Sequence, residues 1–131
     1  LQKLSDIFVD FAEENFDDLT EERIEKYRNA PFRAPLIVAL VSTKKDHPKV
    51  PEMEQIISTG TAGQNIMLAL SALGYGAIWR TGSFAFNNKI SEKFGLNENQ
   101  TIIGYIYIGT PMGKKKSLPE MNTNDYISIW D

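Results

Sequence analysis

The chain has no cysteine and a single histidine, His47, among its 131 residues. These two scarcities remove whole classes of chemistry at once. Disulfide frameworks, thiolate metal sites, Fe–S ligation and cysteine nucleophiles are excluded, and a second imidazole for a histidine-rich metal site does not exist. A cysteine-free chain has no need of an oxidising compartment, which favours a cytoplasmic home. No apolar run approaches the ~20 residues of a membrane helix, and no signal peptide opens the chain. A Gly-x-Ser-x-Gly elbow is missing, and Gly60-Thr61-Ala62-Gly63 lacks the Lys-Ser/Thr that completes a Walker loop. Gly74-Tyr75-Gly76 begins like a dinucleotide fingerprint but follows a helix and enters a strand, the reverse of the required context. His47 reads as an exposed loop residue. The sequence offers no acid–base or nucleophilic constellation, no metal site and no catalytic side chain.

What is present is enough for one folded unit, with 42% hydrophobic and 24% charged residues. Residue 1 is Leu, so the start has been processed or the chain is part of something longer. Charge is unevenly spread. Residues 1–25 hold nine acids against Lys3 and Arg23, net −7, leaving eight acids and twelve bases, net +4, for residues 26–131. That split fits either a solvated acidic helix face or an anionic partner for the basic part. The bases are scattered apart from Lys44-Lys45 and Lys114–Lys116, with no aromatic-basic run of the kind that binds nucleic acid.

Leu4, Ile7, Phe8, Phe11 and Ala12 form one face of an amphipathic helix over Leu4–Phe16, with Ser5 or Asp6 near its start. Thr20 caps a second helix reaching about Arg28. Each Pro pushes its predecessor out of the helical region, so Asn29–Pro35 reads as extended or turned. The continuous run Leu36–Val41 reads as a strand buried on both faces. A long helix runs from Glu52 to about Leu73 with small residues at Ser58–Gly63. Either a bulky group lies against that stretch, such as a second helix or a planar ligand, or it is ordinary close packing. The helix then becomes apolar almost all round, which suits a central element or a subunit interface. Gly74 caps it, Ala77–Thr81 is a short strand, Asn87–Phe94 a short helix closed by Gly95, and Thr101–Ile108 an alternating strand. The tail beyond Lys114–Lys116 reads as an extended arm whose Tyr126, Ile127, Ile129 and Trp130 need a partner surface. Three strands make a thin sheet for so many apolar residues.

The segment Gly76–Gly82 is where binding chemistry concentrates. Its glycines allow close backbone approach, while Trp79 and Arg80 offer a flat apolar surface beside a fixed positive charge. The same residues also fit a strand end with a buried Trp and a structural ion pair.

Five segments occur in order: Asn29-Ala30-Pro31-Phe32-Arg33-Ala34-Pro35-Leu36-Ile37, Lys49-Val50-Pro51, the small-residue helix, Gly76-Ala77-Ile78-Trp79-Arg80-Thr81-Gly82, and Ile103-Gly104-Tyr105-Ile106-Tyr107-Ile108-Gly109-Thr110-Pro111. Together, over about residues 26–113, they resemble the flavin-dependent nitroreductase family, in particular its small YdjA-type members. The resemblance implies an α+β fold, a central sheet flanked by helices with a long central helix, built as a homodimer that shares FMN. It implies that Trp79, Arg80 and Thr81 contact FMN. It also implies that Ala69, Leu70, Ser71, Ala72, Leu73 and Gly74 meet the nicotinamide nucleotide, and gives the long helix a dimer-interface role. The expected function is transfer of hydride from NAD(P)H through FMN to a nitroaromatic, quinone or similar small acceptor. A flavin-free remnant or binding and dimerisation module with the same fold is the alternative. Family members open with an Arg-Arg-Ser-type FMN-contacting segment, and nothing matching it precedes Leu1. The expectation is therefore one nitroreductase-like domain over 1–131, incomplete at its N-terminus. Lys114–Lys116 lies where other members place a phosphate-binding base, and is expected to be solvent-exposed.

Overall fold

The computed structural model describes residues 1–113, 117 and 119–130. Seven regular elements follow one another: α1 (Gln2–Asn15), α2 (Glu21–Asn29), β1 (Leu36–Thr43), α3 (Glu52–Ala72), β2 (Gly76–Arg80), α4 (Asn88–Lys93) and β3 (Gln100–Gly109). The expected order of helices and strands is the observed one. Lys114–Lys116 falls outside the described residues.

The three strands form one sheet in the order β1-β3-β2, with β3 antiparallel to both neighbours. One face carries Leu40, Ile103, Ile106 and Ile108 against Ile56, Ile66, Met67 and Leu70 of α3. The other carries Ile102, Tyr105 and Tyr107 against Ile7, Phe8 and Phe11 of α1 and Ile90 of α4. The result is an α+β sandwich with helices on both sides of the sheet. Between Leu40 and Val41 the register slips, so that Leu40 faces Gly104 while Val41 faces Ile102. This bulge lets Ile102 and Tyr105 share the α1 face although they are three apart.

Several local expectations need correction. α1 begins at Gln2, ahead of the expected start near Ser5 or Asp6; Ser5 is fully buried and its Oγ donates to the Arg28 carbonyl at 2.8 Å, tying α1 to α2. Ala30 stays helical (φ −56°, ψ −42°) in front of Pro31, and Ala30–Arg33 is a 3-10 turn running on from α2. The Ala30 N–H reaches back to Tyr27, a tightened last turn that overrides the pre-proline preference. Only at Ala34, before Pro35, does the chain become extended. β1 is not buried on both faces: it is an edge strand, its first residue Leu36 is exposed, and only Leu40 and Ser42 are buried. The strand buried on both faces is β3, where Ile102 to Ile108 are all buried.

Other expectations hold. Thr20 Oγ1 accepts the Arg23 N–H at 3.3 Å. The end of α3 is a Schellman motif: Gly74 at φ 84° sends its N–H to the Ser71 carbonyl, and Tyr75 sends its own to Leu70. His47 is exposed, and its Nδ1 accepts from the N–H groups of Lys49 and Val50. Tyr126, Ile127, Ile129 and Trp130 are all exposed. Among the described residues, no helix is long and apolar enough to cross a membrane.

Candidate functional site

Trp79, Arg80 and Thr81 occupy the C-terminal end of β2 and the residue after it. Strand side chains alternate between faces, so Trp79 and Arg80 point to opposite sides of the sheet. The expected flat surface beside a positive charge is therefore split in two. The Trp79 indole turns toward α3 and is wedged among three glycines. A Cβ on Gly60 would sit 3.9 Å from it, one on Gly63 only 2.5 Å, and one on Gly104 would overlap the indole nitrogen. The bulky planar group accommodated by the small-residue stretch of α3 is thus this chain's own tryptophan. Wedged in this way, Trp79 has its ring committed to packing, which leaves its backbone as the part able to touch a ligand.

Arg80 faces the other way, into a cleft of about 350 Å³ that it lines with Lys26, Arg33, Tyr27, Phe84 and Tyr107. Thr81 and Gly82 lie on its rim, where Gly82 (φ 74°) opens a short 3-10 turn over Gly82–Phe84. That turn is held from beneath: the Tyr105 hydroxyl donates to the Phe84 carbonyl at 2.7 Å, and the Phe8 and Phe84 rings stack at 4.2 Å. Burial raises the Tyr105 pKa far above the usual tyrosine value, and the neighbouring Tyr107 adds to the effect. The Tyr107 pKa is also raised by burial, while the charges of Arg33 and Arg80 pull it back down. Both guanidiniums therefore act on one phenol at the cleft wall.

The residues Ala69–Gly74 are not gathered in one place. Ser71 and Gly74 line a separate groove of about 350 Å³ with Met67, Tyr75, Gly76 and Pro111. Leu70 is packed into the core beneath α3, while Ala69, Ala72 and Leu73 face outward. This groove lies at the start of β2 and the cationic cleft at its end, about 13 Å along the strand. A third depression of about 490 Å³ links them, sharing Gly76 and Pro111 with the groove and Arg33, Arg80 and Tyr107 with the cleft.

Of the residues that line this cleft, the sequence singles out Arg80 and Thr81 and gives no role to Lys26, Tyr27, Arg33 or Tyr107. Arg33 stood within the Pro-Phe-Arg-Ala-Pro run, yet only the tertiary fold brings that turn to the end of β2.

Comparison with known proteins gives one consistent answer. The model described as "Nitroreductase family" matches residues 2–110. The Escherichia coli (strain K12) protein YdjA, which carries the name of an NAD(P)H nitroreductase, is 43% identical over 94 residues, spanning 72% of this chain and 51% of that protein. The chain thus matches about half the length of this relative. Among solved structures, a nitroreductase-like family protein from Bacillus cereus superposes with a TM-score of 0.71 at 20% identity, covering 97% of this chain and 66% of that one. The NADPH:FMN oxidoreductase of Vibrio harveyi, solved in complex with NAD+, superposes at 0.62 with 17% identity, covering 95% of this chain and 54% of that one.

Proposed function

The chain belongs to the nitroreductase family, and on that premise we propose that the protein of which it forms part or all is an FMN-dependent oxidoreductase. It oxidises NAD(P)H and reduces a nitroaromatic, quinone or similar small acceptor. The observation that carries this reading is the cleft at Arg80 and Thr81, where cations and aromatic walls meet at a strand end. Such a lining suits a planar anionic cofactor, and the same fold bears FMN chemistry in the Vibrio harveyi protein by its name.

Arg80 and Thr81 would hold the cofactor from the cleft rim, with Trp79 contributing backbone. FMN, when bound, supplies the two-electron chemistry, and the protein contributes binding, orientation and electrostatics. The Arg80 guanidinium would supply positive charge beside the cofactor. The wedged Trp79 fixes the strand that carries Arg80, and the Tyr105 hydroxyl fixes the turn that shapes the rim. The groove at Ser71 and Gly74 is the proposed place for the nicotinamide nucleotide; Leu70, packed into the core, and Ala69, Ala72 and Leu73, facing outward, do not line it. No side chain is assigned a proton-transfer role. A homodimer completes the reading: α3 leaves Met53, Ile57 and Leu68 exposed, with Tyr75 beyond its end, an apolar surface suited to a second copy of the chain.

The test is flavin retention by the full-length protein. The expected result is yellow flavin absorbance on purification or after reconstitution with FMN, and weaker retention in Arg80→Ala. A protein that takes up no FMN would sink the reading in favour of a flavin-free binding or dimerisation module. Unchanged occupancy in Arg80→Ala would remove that residue from the site.

A further inference from the structure

Among the described residues, Phe86 is the one residue other than glycine with a left-handed backbone, at φ 56°. That conformation suits an aromatic residue poorly, because its Cβ crowds the following carbonyl oxygen. Packing recovers little of the cost, since the residue is 60% exposed. A bulky residue stays in such a conformation only where its surroundings impose it.

The surroundings are fixed on both sides. Before Phe86, the turn Gly82–Phe84 is pinned to β3 by the Tyr105 hydroxyl, and Ala85 is buried and extended (φ −128°, ψ 160°). After it, Asn87 is extended again and caps α4, its side chain accepting the Lys89 N–H at 2.9 Å. Phe86 is the single reversal between two extended neighbours, and its N–H bonds the Ile102 carbonyl at 2.8 Å. An extended backbone here could not hold the turn, bond Ile102 and start α4 at once.

The two sides are unequally held. α4 is anchored by Ile90 and Ser91 in the core, and by Lys89 and Lys93, which reach Asn15 and Glu14 of α1. The turn is held by one hydroxyl bond and by the Phe84 ring stacked on Phe8. It opens at Gly82, which rotates freely, and Thr81, Gly82 and Ser83 are all exposed. When the reversal is lost, it is therefore the turn that moves. Thr81, Gly82 and Ser83 also line the cationic cleft, so the cleft rim moves with it.

We propose that the left-handed backbone of Phe86 sets the cleft rim. Phe86 is thus a positioning residue for cofactor binding, acting through its main chain and not its ring. The inference rests on the oxidoreductase reading, in which Arg80 and Thr81 hold FMN.

Four substitutions in the full-length protein separate backbone from ring: Phe86→Gly, Phe86→Asn, Phe86→Ala and Phe86→Val. All remove the ring, but Gly and Asn accept a left-handed backbone, Ala less so and β-branched Val least. FMN affinity is measured by flavin fluorescence, below the melting temperature of every variant. The Gly and Asn variants should bind FMN within about twofold of the unsubstituted protein, and Val about tenfold more weakly, the loss of one good hydrogen bond. Gly should also melt about 3–5 °C above Ala, the reverse of their order at an ordinary position. A merely structural role leaves the FMN affinity of all folded variants equal and overturns the inference. An equal loss in all four overturns it too, because the ring is then the contact. Where Val does not fold, Gly against Ala decides: Ala matching Gly in melting temperature and in FMN affinity refutes the reversal. An unsubstituted protein that takes up no FMN sinks the oxidoreductase reading. The amide resonances of Thr81, Gly82 and Ser83 then report the rim directly. Displacement in Val but not in Gly keeps the positioning role, and resonances unmoved in both remove it.

Discussion

Two glycines on one helix should respond to alanine with opposite signs. Gly60 and Gly63 both sit inside α3, where replacing Gly by Ala improves helix propensity by about 1 kcal/mol. At Gly60 the new Cβ meets only the edge of the Trp79 ring at 3.9 Å, an ordinary contact, so the gain is kept. At Gly63 the Cβ would lie 2.5 Å from both Leu40 Cδ1 and Trp79 Cζ3. Carbon atoms prefer about 3.5–4.0 Å, so the neighbours must retreat by about 1 Å. Leu40 is buried, and Trp79 is backed by the bare backbone of Gly104, so neither has room to give. Overpacking of this kind costs about 1–3 kcal/mol, which outweighs the propensity gain. Gly60→Ala should therefore raise stability by about 1 kcal/mol, and Gly63→Ala should lower it by up to about 2 kcal/mol. For a chain of this size each kcal/mol moves the melting temperature by about 3–5 °C. Thermal unfolding of the two variants beside the parent is the assay. If Gly63→Ala is as stabilising as Gly60→Ala, the indole is not wedged and the account of how β2 is fixed is wrong.

Ser5→Ala should cost about 1–2 kcal/mol in urea unfolding, because the Arg28 carbonyl loses its partner where α1 meets α2; Thr20→Ala, which removes an exposed cap, should cost about 0.5–1 kcal/mol. Tyr105 and Tyr107 both have pKa values raised in the fold, so the folded state holds its phenol protons more tightly than the unfolded chain. The stability they contribute is complete below the ordinary tyrosine pKa of 10.0 and is lost as pH rises from there toward the folded values. Denaturation midpoints followed from neutral pH to about pH 11 should fall at the alkaline end. Tyr105→Phe should reduce that fall while costing about 1 kcal/mol at neutral pH, since the Phe84 carbonyl loses its donor. An alkaline fall that is the same in Tyr105→Phe would place its origin elsewhere.

The elements were legible because their signals are local. Thr20 as a cap, Gly74 after α3 and the apolar spacing of Leu4 to Ala12 each depend on neighbours within a few residues. What was misread depends on partners far along the chain. Leu36–Val41 is a continuous apolar run and reads as a strand buried on both faces, whereas Thr101–Ile108 reads only as an alternating strand. In the fold it is the second of these that is covered on both sides. Tyr105 and Tyr107 bury their rings as readily as isoleucine once the Tyr105 hydroxyl has the Phe84 carbonyl to bond, and β3 becomes the strand covered on both faces. Which strand lies between the others is a matter of pairing, and periodicity within one strand carries no information about it.

The same limit explains the site. Adjacent residues of unlike chemistry, Trp79 and Arg80, suggested a single composite surface, yet a strand sends neighbours to opposite faces. One of them is the fastening, and the other faces the cleft. The fastening works because Gly60, Gly63 and Gly104 leave a slot in two different elements, and that slot decides how β2 lies against α3. Arg80 then emerges where the turn bearing Arg33 approaches from the far side of the sheet. A substitution in α3 can therefore alter the cleft without touching it: Gly63→Ala, by displacing the indole, should weaken flavin retention in the full-length protein together with stability. Gly60→Ala, which leaves the indole in place, should change stability alone. If flavin retention follows stability alike in both variants, Trp79 has no share in positioning Arg80.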